Sequence, residues 1–174
     1  QRQMCIRDSI MSISMQNHGG YTEKYDNFDE KARMLGINYP DVNQYLSLIH
    51  ESDSALEYLI SYFEKVDDPV EIVFFGDHQP SLSSSFYPYL NGKGLGGLTL
   101  SELENLYTVP FFIWTNYDSD KESVELTSLN YLSTLALERA GIALPAYNQF
   151  LADMMEEIPA INSRGFYSKS LGRF

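Results

Sequence analysis

Cysteine is almost missing from this chain: one residue, Cys5, stands among 174, so no internal disulfide can form and the redox compartment stays open. No run of about 18 apolar residues occurs, so nothing in the sequence reads as a membrane-spanning helix. The opening QRQMCIRDS lacks the apolar centre of a secretory signal. Cations are scarce. Lys and Arg total 12 against 24 Asp and Glu, a formal net charge of -12. That balance excludes nucleic acid as an expected partner and disfavours unassisted attraction to anionic lipid. An acidic protein that handles phosphate groups needs a bound cation to do so. What is present is the material of a core: 44% hydrophobic and 14% aromatic residues, globular values in a chain long enough for one domain.

The stretch around which the chain is organised is Val70–Pro80, VEIVFFGDHQP. Glu71 to Phe75 is a short run rich in β-branched and aromatic residues, which reads as a buried strand. Gly76 stops it, and Asp77 and His78 follow. A carboxylate beside an imidazole at the carboxyl end of a strand sits where open α/β sheets place their sites. The carboxylate favours hard divalent ions, and the imidazole pulls toward transition metals. On the pair alone a turn, with Asp77 bonding the backbone, is the commoner outcome.

A second strand is expected over Ile10–Met15, IMSISM, where apolar and small polar residues alternate. It runs into Gln16, Asn17, His18, Gly19 and Gly20, so a second histidine stands just past a strand end, as a phosphate donor, a metal ligand or a turn residue. Tyr21 to Pro40 reads as a loop with a helical turn near Asp29–Met34. Asp41 is a plausible N-cap, and a helix is expected from Val42 to Val66, with Tyr45, Leu48, Ile49, Ser52, Leu56, Leu59, Ile60 and Phe63 forming a stripe toward a sheet. His50 and Asp53 on this helix read as ordinary exposed surface. Strand, helix, strand over Ile10–Phe75 then predicts a parallel crossover that brings His18 and His78 to one sheet edge.

After Pro80 the glycines at 92, 94, 96 and 97 have neither the preceding strand nor the Gly-Lys-Ser/Thr ending of a phosphate-binding loop, so a surface loop is expected. Serines 83 to 85 do not make a Ser-His-Asp arrangement with Asp77 and His78, because neighbouring side chains are expected to point apart and no nucleophile elbow is present. A short helix is expected at Ser101–Leu106, capped by Ser101 with Glu104. A third strand is expected at Thr108–Trp114, then an acidic turn, a helix over Leu126–Ala140 ended by Gly141, and a last helix over Pro145–Ile158.

Four segments carry a resemblance. VFFGDHQP resembles the metal-binding motif of the alkaline phosphatase and sulfatase superfamily, closest to its lipoteichoic acid synthase and phosphoglycerol transferase branch. SMQNHGGY resembles that family's Asn-His-Gly-x-Tyr segment, and VPFFIWTNYD with SLNYLSTLALERAGIALPAYNQFL resembles its carboxyl-terminal part. The resemblance spans about residues 10–167. It implies an α/β fold, the alkaline phosphatase-like three-layer sandwich with a mostly parallel sheet, of which residues 10–174 are the carboxyl-terminal part. Residues 1–9 resemble translated sequencing-adaptor read-through and are expected to be a non-native leader.

The resemblance further implies Asp77 and His78 as metal ligands, manganese being the expected ion with magnesium or zinc as alternatives, and His18 as the substrate-phosphate contact. In that family a threonine nucleophile takes a phosphoglycerol group from a phospholipid headgroup and passes it to a polyglycerolphosphate or glycan acceptor. The enzyme works on the outer face of a membrane that its amino-terminal helices cross. The family's nucleophile and remaining acidic ligand lie upstream of the Asn-His segment, and no residue here occupies those positions, so the polypeptide alone is expected to be inert. Two alternatives stay open: another sulfatase or phosphomonoesterase of the superfamily, and a non-catalytic extracellular module in which Asp77 and His78 only shape a turn.

Overall fold

The computed structural model describes residues 9–23, 25–163 and 165–172. All of the expected leader except Ser9, and with it Cys5, lies outside the described residues. The elements in order are α1 (Pro40–Phe63), β1 (Glu71–Phe75), α2 (Phe86–Asn91), a 3-10 turn at Leu95–Gly97, α3 (Leu100–Asn105) and β2 (Phe111–Thr115). A 3-10 turn at Leu129–Tyr131, α4 (Leu132–Arg139), α5 (Ala146–Glu157), β3 (Ala160–Asn162) and β4 (Gly165–Tyr167) follow. The chain divides into two compact units: the described residues up to Tyr62 with Gly76–Val109, and Phe63–Phe75 with the described residues from Pro110 on.

The first unit is built on the amino-terminal half of α1. Pro40 opens this helix, where its missing N–H costs nothing. Asp41 therefore lies inside the first turn rather than at the cap, and its Oδ2 accepts the Ser83 N–H at 2.7 Å. Ser47, fully buried, ties the preceding loop to the helix. Its Oγ accepts from the Lys31 and Ala32 N–H groups at 3.0 and 3.1 Å, and Asn43 Oδ1 accepts from the Met34 N–H at 2.9 Å. These bonds tie residues 31–34 to α1, and the helical turn expected near Asp29–Met34 does not form. Tyr21 meets Tyr45 edge-on at 5.4 Å, and Tyr39 meets Phe86 at 5.2 Å.

The second unit contains both sheets. β1 and β2 pair antiparallel, Glu71 opposite Thr115 and Phe75 opposite Phe111, with Phe74 stacked on Phe112 at 5.3 Å. Asn116, one residue past β2, locks the approach to β1. Its Nδ2 lies 2.9 to 3.1 Å from the Phe63, Val66 and Asp68 carbonyl oxygens, and its Oδ1 accepts from the Val70 N–H at 2.7 Å. The Tyr131 hydroxyl, on a side chain with no exposed surface, donates to the Ile158 carbonyl at 2.6 Å. Asn148 on α5 donates to Thr134 on α4 at 3.0 Å. β3 and β4 form an antiparallel pair in a segment whose sequence carries no strand signal.

The mixed α/β class is as expected, but the pairing is not. Ile10–Met15 is no strand: it makes no ladder bonds, and its apolar side chains stand in solvent, Ile10 at 90% and Met11 at 79% exposure. Alternation can specify a strand only where a neighbouring strand takes up its N–H and C=O groups. Among the described residues none does, so the parallel crossover is replaced by the antiparallel β1–β2 pair. The cap of α3 also shifts. Thr99, not Ser101, closes the capping box, with Glu102 as its acidic partner. β2 starts at Phe111, just after Pro110, rather than at Thr108, and α4 begins only after the 3-10 turn at Leu129–Tyr131.

Candidate functional site

Asp77, His78 and His18 all fall in the first unit. β1 ends at Phe75, and Gly76 follows where a Cβ would stand 3.2 Å from that of Val109, tighter than nearly any side chain accepts. Beyond it the chain leaves strand geometry, so the side chains of Asp77 and His78 no longer alternate. The expectation that they diverge fails: Asp77 Oδ2 and His78 Nε2 lie 3.6 Å apart on one side of the bend.

The bend is held by its own hydrogen bonds. Asp77 Oδ1 accepts the His78 N–H at 2.9 Å. His78 Nδ1 lies 2.8 Å from the Gln79 carbonyl oxygen, which can only accept, so Nδ1 carries the proton of the neutral ring. The Gln79 side chain in turn donates to the Thr108 carbonyl. Nε2 therefore presents its lone pair next to Oδ2. Both side chains are largely open to solvent, His78 at 64% and Asp77 at 80%.

The donor set is right for a divalent ion. With ligand bonds of about 2.0 to 2.2 Å, two donors on one tetrahedral metal stand about 3.4 Å from each other, close to the spacing seen here. A backbone carbonyl on the second ring nitrogen is the usual way a metal-binding histidine is oriented. Among the described residues no third His, Cys, Asp or Glu completes the set. His50 and Asp53 are exposed on α1 and join no such group. No hydrogen bond links the described serines 83 to 85 to His78, whose Nδ1 faces a carbonyl oxygen.

His18 lies in a tight turn, its N–H donating to the Met15 carbonyl at 3.1 Å, with its side chain exposed. The turn is anchored on both sides of the histidine's neighbour Asn17. Ser52 of α1 donates to Asn17 Oδ1 at 3.0 Å, and the buried Tyr21 donates to the Asn17 carbonyl at 2.6 Å. Gly20 takes φ of 103°, a conformation side chains rarely adopt, which is the reason for a glycine there. No hydrogen bond or ion pair joins the His18 ring to Asp77 or His78 among the described residues. The segments that follow each motif, residues 20–22 and residues 81–83 with 85, line one cleft of about 610 Å3 together with residues 38–41 around the start of α1. Sequence reasoning missed residues 38–41, because long-range bonds, from Ser83 to Asp41 and from Tyr39 to Ser85, bring them there.

The sulfatase family model matches residues 8–142. This chain belongs to the sulfatase family. A solved relative in fold is Streptococcus pyogenes phosphoglycerol transferase GacH, in complex with sn-glycerol-1-phosphate, which superposes with a TM-score of 0.63 at 22% identity over 87% of this chain and 37% of that one. The fold is thus the alkaline phosphatase-like α/β fold. Two proteins of Rhizobium meliloti (strain 1021) are similar in sequence. One, named for cyclic beta-1,2-glucan modification, is 23% identical over 155 residues, covering 84% of this sulfatase-family chain and 24% of that protein. The other, capsular polysaccharide biosynthesis protein RkpI, is 40% identical over 76 residues, covering 44% and 12%. The chain therefore spans a quarter or less of these curated relatives. No described helix is long and apolar enough to cross a membrane.

Proposed function

We propose that this chain supplies part of the active site of a metal-dependent phosphoglycerol transferase that moves a phosphoglycerol group from a phospholipid headgroup to a cell-envelope glycan at the outer face of a membrane. The observation that carries the reading is the Asp77–His78 pair. Its two donor atoms stand 3.6 Å apart, and the histidine tautomer is set by the Gln79 carbonyl so that Nε2 is free to coordinate. Asp77 Oδ2 and His78 Nε2 would hold the ion, manganese first and magnesium or zinc as alternatives. A bound ion supplies charge stabilisation at a phosphoryl oxygen and lowers the pKa of an attacking hydroxyl. His18, in its anchored turn, would donate to a phosphate oxygen as charge builds there.

The fold shared with a phosphoglycerol transferase seen with sn-glycerol-1-phosphate supports this substrate class, and the glycan-related names of the two Rhizobium proteins support the acceptor class. With two donors and no third His, Cys, Asp or Glu beside them among the described residues, this chain is expected to bind metal weakly.

The test is titration of the 15N-labelled chain with manganese. Paramagnetic broadening should fall on the amides of residues 76–79 and also 17–19, with weak affinity. Broadening of 76–79 without 17–19 would sink the role of His18. No broadening near Asp77, or tight stoichiometric binding, would overturn the partial metal site.

A further inference from the structure

The cleft beside the two motifs has a lining that the metal reading does not use. Residues 20–22 start two positions beyond His18, residues 81–83 and 85 start three beyond His78, and residues 38–41 lead into α1. Its volume of about 610 Å3 is in the range of small-ligand sites. Among the residues lining it there is no Lys, Arg or His, and the one charged side chain is the carboxylate of Asp41. An anionic ligand would find no counter-charge there, in a chain whose formal net charge is -12.

Hydrogen-bonding groups are plentiful instead. Thr22, Asn38, Tyr39, Ser81, Ser83 and Ser85 all contribute to the walls. Tyr39 donates to the Ser85 carbonyl at 3.0 Å and Asp41 holds the Ser83 N–H at 2.7 Å, so the backbone of two walls is braced. The side chains of Thr22, Asn38 and Ser81 make no hydrogen bond to another described residue. A braced cleft with uncommitted hydroxyl and amide groups and no cation matches a neutral ligand rich in hydroxyls.

We propose that this cleft is the acceptor subsite and that it takes a neutral saccharide, not an anionic polyglycerolphosphate chain. Its role as acceptor subsite rests on the phosphoryl-transfer reading above; saccharide binding itself does not.

The 15N-labelled chain titrated with a neutral β-linked glucose trisaccharide should show amide shifts at residues 20–22, 38 and 81–85. The same titration with sn-glycerol-1-phosphate should leave those amides in place. Thr22→Val with Asn38→Ala, two exposed substitutions, should weaken saccharide binding roughly tenfold, about the loss of one or two hydrogen bonds, with an unchanged circular dichroism spectrum. Absence of saccharide shifts in this cleft, or larger shifts there with glycerol phosphate, would overturn the subsite. Manganese broadening at residues 76–79 without saccharide shifts would sink the subsite and leave the metal reading standing. Saccharide shifts without manganese broadening would uphold the saccharide cleft and sink the metal reading.

Discussion

The two units hold their chains by different means. In the second, regular elements do most of the work: a five-residue antiparallel ladder, two helices bridged by Asn148 and Thr134, and a short β3–β4 pair. In the first, which carries Asp77, His78 and His18, no strand forms among the described residues, and single side chains clamp long loops onto one helix. Ser47, Asn43, Asp41, Ser52 and Tyr21 each bond a backbone or side-chain group of a loop. A ladder shares its load over many bonds, whereas a clamp concentrates it in one residue. Loops held in this way can carry chemistry that a strand interior has no room for.

The largest effect is expected where the ladder unit itself depends on a clamp. Asn116→Ala removes the acceptor of the Val70 N–H and the donor facing three carbonyl oxygens, and should cost about 3 kcal/mol. Trp114, the single tryptophan, lies in β2 one strand away from Ile72, so denaturant unfolding followed by its fluorescence reads this loss directly. An unchanged midpoint would show that the ladder, not Asn116, holds the β1 approach.

In the first unit Ser47→Ala should cost about 2 kcal/mol, because two loop N–H groups lose their acceptor in a fully buried position. Hydrogen exchange should show the amides of Lys31 and Ala32 losing protection. Retained protection would mean that the loop is held by other contacts.

The smallest effects are in pH dependence, and they differ in sign between the units. In the first, the Lys93 ammonium, at 2.8 Å, and the Thr99 cap hold the Glu102 carboxyl down to about 2. The folded state then binds fewer protons than the unfolded one, so this contribution is complete above the ordinary carboxylate range near 4.5 and fades as pH falls toward 2. Glu102→Gln should flatten that acid limb. In the second unit burial pushes the Glu71 carboxyl up, against the opposing pull of Arg139 and the Tyr117 hydrogen bond. Its contribution runs the other way, favouring the folded state at low pH and lost as pH rises through the raised folded value. Glu71→Gln should therefore stabilise at neutral pH, with a gain that shrinks on acidification. A loss at neutral pH would show that the Arg139 attraction outweighs burial.

Much of the second unit is readable from residue patterns, since EIVFF and FFIWT are apolar runs of strand length and Gly141 closes a helix as expected. Their antiparallel pairing is not readable, because period and composition say nothing about which edge meets which. The first unit shows the limit more plainly. IMSISM has a strand's alternation and yet stays exposed, and the shift of the α3 cap from Ser101 to Thr99 turns on which hydroxyl the acidic residue three positions on can reach.

The sequence by itself determined the chemistry on offer: the strand that stops at Gly76, the Asp-His pair after it, the Asn-His-Gly-Gly turn, and an acidic charge that calls for a cation wherever phosphate is handled. Only the tertiary structure decided that Asp77 and His78 turn their donor atoms to the same side, which ring nitrogen faces the Gln79 carbonyl, and that residues 20–22, 38–41, 81–83 and 85 share a cleft. Residue types fix what an atom can donate or accept, but the direction in which it does so is set by backbone bends and long-range hydrogen bonds. Those exist only once distant segments have met.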